Sequence, residues 1–350
     1  MSIESLPEWL LPAWRDLRAR GERLPHALLL CGPAGSGKRL FATHFARALL
    51  CRTPDARGFA CGHCADCTWL AAGNHPDLFT VIPAADEEEA EDADATEGGK
   101  KEKARSTQIV IDQVRSLQAA LEIGSGGHAG GRRVVILDPA EAMNVAAANA
   151  LLKSLEEPVG STVFLLLSHV PRQLLPTIRS RCQVIDFPRP ARAVAQAWLE
   201  QQGVKDAALL GFASGLPLAA RELAQGARGE LRRQLAAELG RLDSLDPLKL
   251  AADWEARLKS RPALECGFAM PDLLDWLQRW LADGVRVAHG LPPACFEDAR
   301  ADLARLAQGR AERYLEAYRA IQAHRRAAQH PLNARLFLED IALCLRRTTA

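Results

Sequence analysis

The sequence has almost no net charge: 44 Lys and Arg against 43 Asp and Glu leave +1 over 350 residues. No global field therefore drives the chain onto nucleic acid or a membrane surface. No apolar stretch approaches the length of a bilayer span. Met1 to Pro12 holds Glu4 and Glu8 and no basic residue, so the cationic start of a secretory signal is missing. Nor is there a stripe of interleaved aromatic and basic residues on which single-stranded nucleic acid could stack. Cysteine is present nine times, an odd number with four of the nine clustered. That argues against a disulfide framework and for a metal site in a reducing cytoplasm. The length allows two or three domains and a sizeable core.

Gly32-Pro33-Ala34-Gly35-Ser36-Gly37-Lys38-Arg39 follows the apolar run Ala27 to Cys31 and precedes the helical-looking run Leu40 to Leu50. Strand, glycine-rich turn and helix are the context of a phosphate-binding loop. Glycines let successive backbone N–H groups point at an anion, Lys38 would reach the outer phosphates, and the helix start adds partial positive charge. Gly32, Gly35, Ser36, Gly37 and Lys38 are thus candidate nucleotide-binding residues. A plain strand-to-helix connection would explain the glycines but not the lysine. One part is lacking. The residue after Lys38 should carry a hydroxyl for Mg²⁺, and Arg39 has no lone pair to give.

Val134 to Leu137 reads as a strand buried on both faces, and Asp138 ends it. A carboxylate there, downstream of a phosphate loop, is placed to touch hydrated Mg²⁺ and joins the candidate site. It also suits a turn or helix cap. The next residue is Pro139, where an ATPase of this type needs a water-activating Glu; Glu141 is displaced along the chain. Thr162 to Leu167 forms another strand, ending at Ser168, where a polar group could sense a γ-phosphate.

Cys61, Cys64 and Cys67 read Cys-x-x-Cys-x-x-Cys, and Cys51 at the preceding helix end can supply a fourth thiolate. Four sulfurs with no open position describe structural zinc. His63 and Asp66 could compete, but four thiolates are softer and sufficient; free or redox-active thiols are the plainer alternative. Asp86 to Arg105 is acidic first and basic later and has no large apolar residue, so a disordered surface insertion is expected over about 84–107. A flexible glycine-rich connection is expected at Gly124 to Gly131.

Strands are also expected at Leu78 to Ile82 and Val184 to Phe187, and a helix at Asn149 to Glu157, stopped by Pro158. Pro188 and Pro190 mark a linker. Beyond it, Ala191 to Gln202 and Asp206 to Gln225 read as a small helical unit, and helices of bundle-like length follow from Glu230. Phe337, Ile341, Cys344 and Leu345 form an apolar stripe on the last.

Asn149-Ala150-Leu151-Leu152-Lys153-Ser154-Leu155-Glu156-Glu157-Pro158 and Ser180-Arg181-Cys182 resemble the AAA+ subunits of the bacterial replicative clamp loader. So do the four-cysteine insertion, His75-Pro76-Asp77 and Leu338-Glu339-Asp340. The resemblance implies an α/β plus all-α chain. Residues 1–187 would be an AAA+ P-loop domain with a five-stranded parallel sheet, 188–227 a small helical lid, and 228–350 a helical collar that assembles into a ring of five. The family holds ATP-hydrolysing motors and a stator that does not hydrolyse. Arg39 and Pro139 strike the same chemistry and place this chain with the stator. A motor would also often continue past the collar, and this chain stops at Ala350.

What the stator implies is a subunit of the DNA polymerase III holoenzyme with motor and delta subunits as partners. The ring as a whole places the sliding clamp on primed DNA. ATP binding would be weak or absent, and the site cytoplasmic, with no membrane. Arg181 would project into a neighbouring motor's ATP site as an arginine finger, a role suited to a planar, permanently charged fork of donors. The alternatives are a salt bridge for Arg181 within the chain and, for the whole protein, a motor in which Glu141 activates water. Gly215 and Arg221 stand where related ATPases carry a second sensor, though a surface arginine on a helix fits equally.

Overall fold

A computed structural model of the chain describes residues 6–84, 106–123, 131–327 and 333–349. The acidic insertion at Asp86 to Arg105 and most of the glycine-rich connection at Gly124 to Gly131 lie outside the described residues. The chain divides into two compact units, Met1–Arg189 and Pro190–Ala350.

The first unit is built on strands β1 (Ala27–Cys31), β2 (Leu78–Val81), β3 (Arg132–Leu137), β4 (Ser161–Ser168) and β5 (Gln183–Asp186). Every pairing is parallel and the order is β2-β3-β4-β1-β5. Its helices are α1 (Leu11–Ala19), α2 (Lys38–Leu50), α3 (Ala65–Ala71), α4 (Ile111–Glu122), α5 (Val145–Glu156) and the short α6 (Pro176–Arg179). The continuous apolar runs of β1, β3 and β4 follow from a sheet covered on both faces. Alternate residues serve alternate cores. Leu28, Leu30, Val134, Ile136, Leu165 and Leu167 meet Trp14, Phe41 and Phe45 on one side. On the other, Leu29, Val135, Leu137, Phe164 and Leu166 meet Val114, Leu117, Leu151 and Leu155. The register sets Cys31 opposite Ser168 and Asp186, so the carboxyl ends of β1, β4 and β5 finish together. Ligands of open parallel sheets sit at such ends.

The strand expectations hold to within two residues. Helix α5, however, begins before the motif that suggested it, because the Asn144 side chain accepts from the Ala147 N–H at 2.8 Å and caps it at Val145.

The second unit is helical: α7 (Arg192–Gln201), α8 (Ala208–Phe212), α9 (Pro217–Gln225), α10 (Ala227–Leu239), α11 (Pro247–Leu258), α12 (Arg261–Glu265), α13 (Met270–Ala288), α14 (Arg300–Ala307), α15 (Ala311–Ala327) and α16 (Ala334–Arg346). The helical segment Asp206 to Gln225 is interrupted. Ser214 and Gly215 take positive φ of 57° and 80°, which no helix tolerates, and Pro217 opens a new one. On α16 the fully buried stripe is Leu338, Ile341, Ala342 and Leu345, with Phe337 and Cys344 at its margin.

Among the described residues, the core of this unit holds one buried cation. Arg232 is 0% exposed, pairs through both terminal nitrogens with Asp298, and lies 4.9 Å from the Phe212 ring centroid. The paired carboxylate and the ring face replace the water it has lost. Asp283 on α13 accepts three backbone N–H groups, from Ala294, Cys295 and Phe296, at 2.7–2.8 Å, and so fixes the approach to α14.

Helices α13 and α15 touch at a glycine. A Cβ on Gly284 would lie 2.0 Å from Cδ1 of the buried Tyr314 ring. Gly284→Ala is expected to lower stability by about 1–3 kcal/mol through overpacking, read as a lower urea midpoint for the helical unit. An unchanged midpoint would mean the helices separate freely.

Candidate functional site

The loop between β1 and α2 has the geometry its glycines promised. Gly35 and Gly37 take positive φ of 82° and 97°, and Gly37 caps α2 with no side-chain hydrogen bond. At Gly32 a Cβ would lie 2.4 Å from the Phe187 carbonyl oxygen, so only glycine lets the loop leave β1 beside β5. Lys38 is 2% exposed and turns back over the loop, its Nζ donating to the carbonyls of Gly32 at 2.6 Å and Pro33 at 2.8 Å. Ser36, also buried, offers Oγ at 3.4 Å. Burial pushes the Lys38 ammonium down to about 8, against the attraction of Asp138 and Glu141.

Arg39 reaches the end of β3. Its Nε donates to Asp138 Oδ2 at 2.5 Å; the Arg39 side chain is 73% exposed and that of Asp138 only 4%. A guanidinium thus stands between the start of α2 and Asp138, where a hydroxyl and a metal ion would otherwise make that link. Asp138 Oδ1 is buried without a hydrogen-bond partner among the described residues, and so is Ser168 Oγ. Glu141 is committed elsewhere, its Oε1 accepting from the backbone N–H of His169 at 2.8 Å and of Val170 at 3.1 Å.

His169 escaped the sequence reading. It is half-buried with Nδ1 unpartnered, and burial together with Lys38 holds its pKa below the ordinary range, against Glu141 and Asp138. The available signal was its place directly after Ser168, at the end of a strand whose last residue was already a candidate. Gly32, Gly35, Ser36, Gly37, Lys38 and Asp138 are therefore gathered in one place, with Arg39, Glu141 and His169 added.

Arg181 belongs to a different surface. The turn between α6 and β5 presents it, with Nη1 donating to the Thr177 carbonyl at 3.0 Å and Nη2 paired with Glu156. Its neighbours divide the anchoring: Cys182 is buried in the core, and Ser180 Oγ donates to the Thr177 carbonyl at 3.1 Å. The Asn149–Pro158 motif and the Ser-Arg-Cys motif thus meet at one ion pair. Arg221 on α9 stacks its guanidinium 5.3 Å from the Trp198 ring centroid, and Gly215 makes the left-handed turn before α9.

The sulfur atoms of Cys51, Cys61, Cys64 and Cys67 all lie within 4.8 Å of one another. Two pairs, Cys51 with Cys64 and Cys61 with Cys67, are 3.9 Å apart. Disulfide sulfurs would be about 2.05 Å apart, whereas Zn–S bonds of about 2.3 Å hold tetrahedral sulfurs about 3.8 Å apart. Backbone N–H groups of Cys61, Cys64 and Cys67 point at the sulfurs of Cys51, Cys61 and Cys64 at 3.3–3.5 Å. These contacts suit thiolates. Hydrogen bonds from Thr53 and the His63 backbone hold Cys61 down at about 5, while burial raises Cys67. The four-cysteine set therefore fits a metal such as zinc.

Around this cluster, Arg52 Nε donates to the fully buried Asp66 at 2.5 Å, and the other Asp66 oxygen lies 3.4 Å from His75 Nε2. His75 Nδ1 accepts from the Asp77 N–H at 3.1 Å. His75-Pro76-Asp77 therefore clips the cysteine segment to the start of β2. Asp66 is a partner of His75 and Arg52, not a competing ligand.

Residues 15–191 match the family described as DNA polymerase III, delta subunit, and residues 227–347 match DNA polymerase III, delta subunit, C terminal. The chain is 42% identical over 280 residues to the DNA polymerase III subunit delta-prime of Pseudomonas aeruginosa, spanning 78% of this chain and 75% of the relative. To that of Escherichia coli K12 it is 30% identical over 344 residues, spanning 96% and 93%. A crystal structure of a DNA polymerase III gamma-subunit-related protein from Thermotoga maritima is similar over 97% of this chain and 99% of its own, with a TM-score of 0.47 and 19% identity. With both units matched and two relatives aligned over most of their length, the chain belongs to the family of the delta-prime subunit of bacterial DNA polymerase III.

Proposed function

We propose that this chain is the stator of a replicative clamp loader: a cytoplasmic subunit that does not itself hydrolyse ATP and that completes the ATP site of a neighbouring motor. Its partners would be the motor and delta subunits of a hetero-pentameric ring that places the sliding clamp on primed DNA. Residues 188–227 would act as a lid, and 228–350 as the collar that carries assembly. The observation that carries this reading is the Arg39–Asp138 pair. It occupies with a fixed cation the link that hydrolysis requires of Mg²⁺. Pro139 supplies no base, and Glu141 already serves two backbone N–H groups. A motor based on Glu141 would have to activate water through the buried Oε2 alone while Oε1 stays on the backbone.

Arg181 supplies the useful cation. Its pairing with Glu156 is solvent-accessible, the two side chains being 35% and 49% exposed. Exposed pairs of this kind contribute about 0–1 kcal/mol, so the fork can exchange Glu156 for a neighbour's phosphoryl oxygens at small cost. There it would stabilise charge developing on the transferring group. Cys51, Cys61, Cys64 and Cys67 would hold structural zinc, with no open position and no part in hydrolysis.

Three outcomes are expected. The purified chain shows no Mg²⁺-dependent ATP turnover; turnover abolished by Lys38→Ala would make it a motor. In a reconstituted ring, Arg181→Ala leaves the circular dichroism of the subunit unchanged but slows the adjacent site about a thousandfold. The ring's total ATPase then loses that site's share, and an undiminished total would remove the finger. Elemental analysis finds about one zinc per chain, lost in Cys64→Ser; four titratable thiols without metal in the native chain would reject the site.

A further inference from the structure

The phosphate loop keeps its donors while its metal position is filled by a side chain. We propose that this loop binds the diphosphate group of a nucleoside diphosphate without any divalent ion, Arg39 taking the place of magnesium. The inference goes beyond the stator reading and does not involve Arg181.

The donors are countable. Lys38 has three ammonium protons and gives two to loop carbonyls at 2.6 and 2.8 Å; the third has only Ser36 Oγ at 3.4 Å. Helix α2 has 13 residues and no side-chain cap, so the backbone N–H groups of its first turn are not taken by a cap. Arg39 spends Nε on Asp138, and its two terminal nitrogens have no partner among the described residues. A fork of donors on an exposed side chain is therefore available beside Lys38 at the start of the same helix. At the base of the loop, Ser168 is 0% exposed and its hydroxyl is unsatisfied. Its carbonyl accepts from the Gly32 N–H at 3.2 Å, which fixes the residue against the loop. A buried hydroxyl left unpaired costs stability unless something occupies the space it faces.

The same geometry disfavours a metal. Mg²⁺ would need Asp138, whose Oδ2 is held by a guanidinium at 2.5 Å, and a divalent cation at the unpartnered Oδ1 would face that adjacent positive charge. In a metal-dependent site the ion offsets the carboxylate and bridges two phosphate oxygens. Arg39 does the first now and has the donors for the second. A third phosphate would bring additional negative charge with no ion to balance it. That favours the diphosphate.

The test is calorimetric titration of the full chain with ADP, in EDTA and in excess Mg²⁺. Binding is expected in EDTA and does not tighten when Mg²⁺ is added; inorganic pyrophosphate displaces the ADP, since the diphosphate is what is recognised. Lys38→Ala abolishes binding. Because that variant removes a buried loop contact, Arg39→Ser is the second arm. It weakens ADP in EDTA about tenfold, the loss of one charge-assisted contact, and makes binding respond to Mg²⁺. The proposal is overturned by no heat at millimolar ADP, by a Mg²⁺ requirement in the native chain, by failure of pyrophosphate to compete, or by Arg39→Ser behaving as the native chain in EDTA. Absence of binding, failure of pyrophosphate to compete and an indifferent Arg39→Ser variant would each sink this inference alone, and only a Mg²⁺ requirement would weaken the stator reading with it, so the two can fail separately.

Discussion

A carboxylate buried at the end of a strand must have a cation. Asp138 is 3% exposed, and an unpaired charge in that setting would be strongly unfavourable or would protonate. Phosphate-loop NTPases in general meet the demand with a bound Mg²⁺. Here the chain carries its own answer in Arg39. The consequence reaches beyond chemistry, because the chain's own side chains balance the charge at the sheet's carboxyl edge. Gly37 starts α2, Lys38 locks the loop through its carbonyls, and the Gly32 N–H ties the loop to Ser168.

The same economy governs the cysteine segment. Four sulfurs alone would fix only a local knuckle. Its place on the sheet comes from a chain of charged and polar contacts through Arg52, Asp66 and His75 to the backbone of Asp77. Asp77 then passes the alignment on, its carbonyl accepting from Val134 at 2.9 Å at the start of the β2–β3 pairing. His75-Pro76-Asp77 is thus a mechanical link between the four-cysteine insertion and a parallel sheet.

Much of this was legible from residue order. The five strands were readable because β1, β3 and β4 are continuous apolar runs, and the loop was readable because glycines and a lysine at fixed spacing have few other uses. The four cysteines were readable from spacing alone. The sequence hid the pairings between distant positions: that Arg39 would find Asp138, that Glu141 would be spent on the backbone after β4, and that Arg181 would meet Glu156. Ion pairs of long sequence separation leave no periodic trace. His169 was missed for a related reason, since a lone histidine gains meaning only from what packs on it. The break inside Asp206 to Gln225 was signalled by Gly215 and Pro217 but masked by the apolar residues on either side.

On the stator reading, an arginine at position 39 would remove hydrolysis in one step and leave the rest of the loop intact, and the arginine of the Ser-Arg-Cys turn depends on nothing in that loop. Its support is Cys182 in the core, the Thr177 carbonyl and Glu156 at the end of α5. Two cations in one domain therefore have opposite assignments. Arg39 is itself exposed but is bound to a buried carboxylate, which its departure would leave uncompensated. Arg181 sits on an exposed partner that water can replace. Burial of the partner decides which of the two guanidiniums can leave its carboxylate for another molecule.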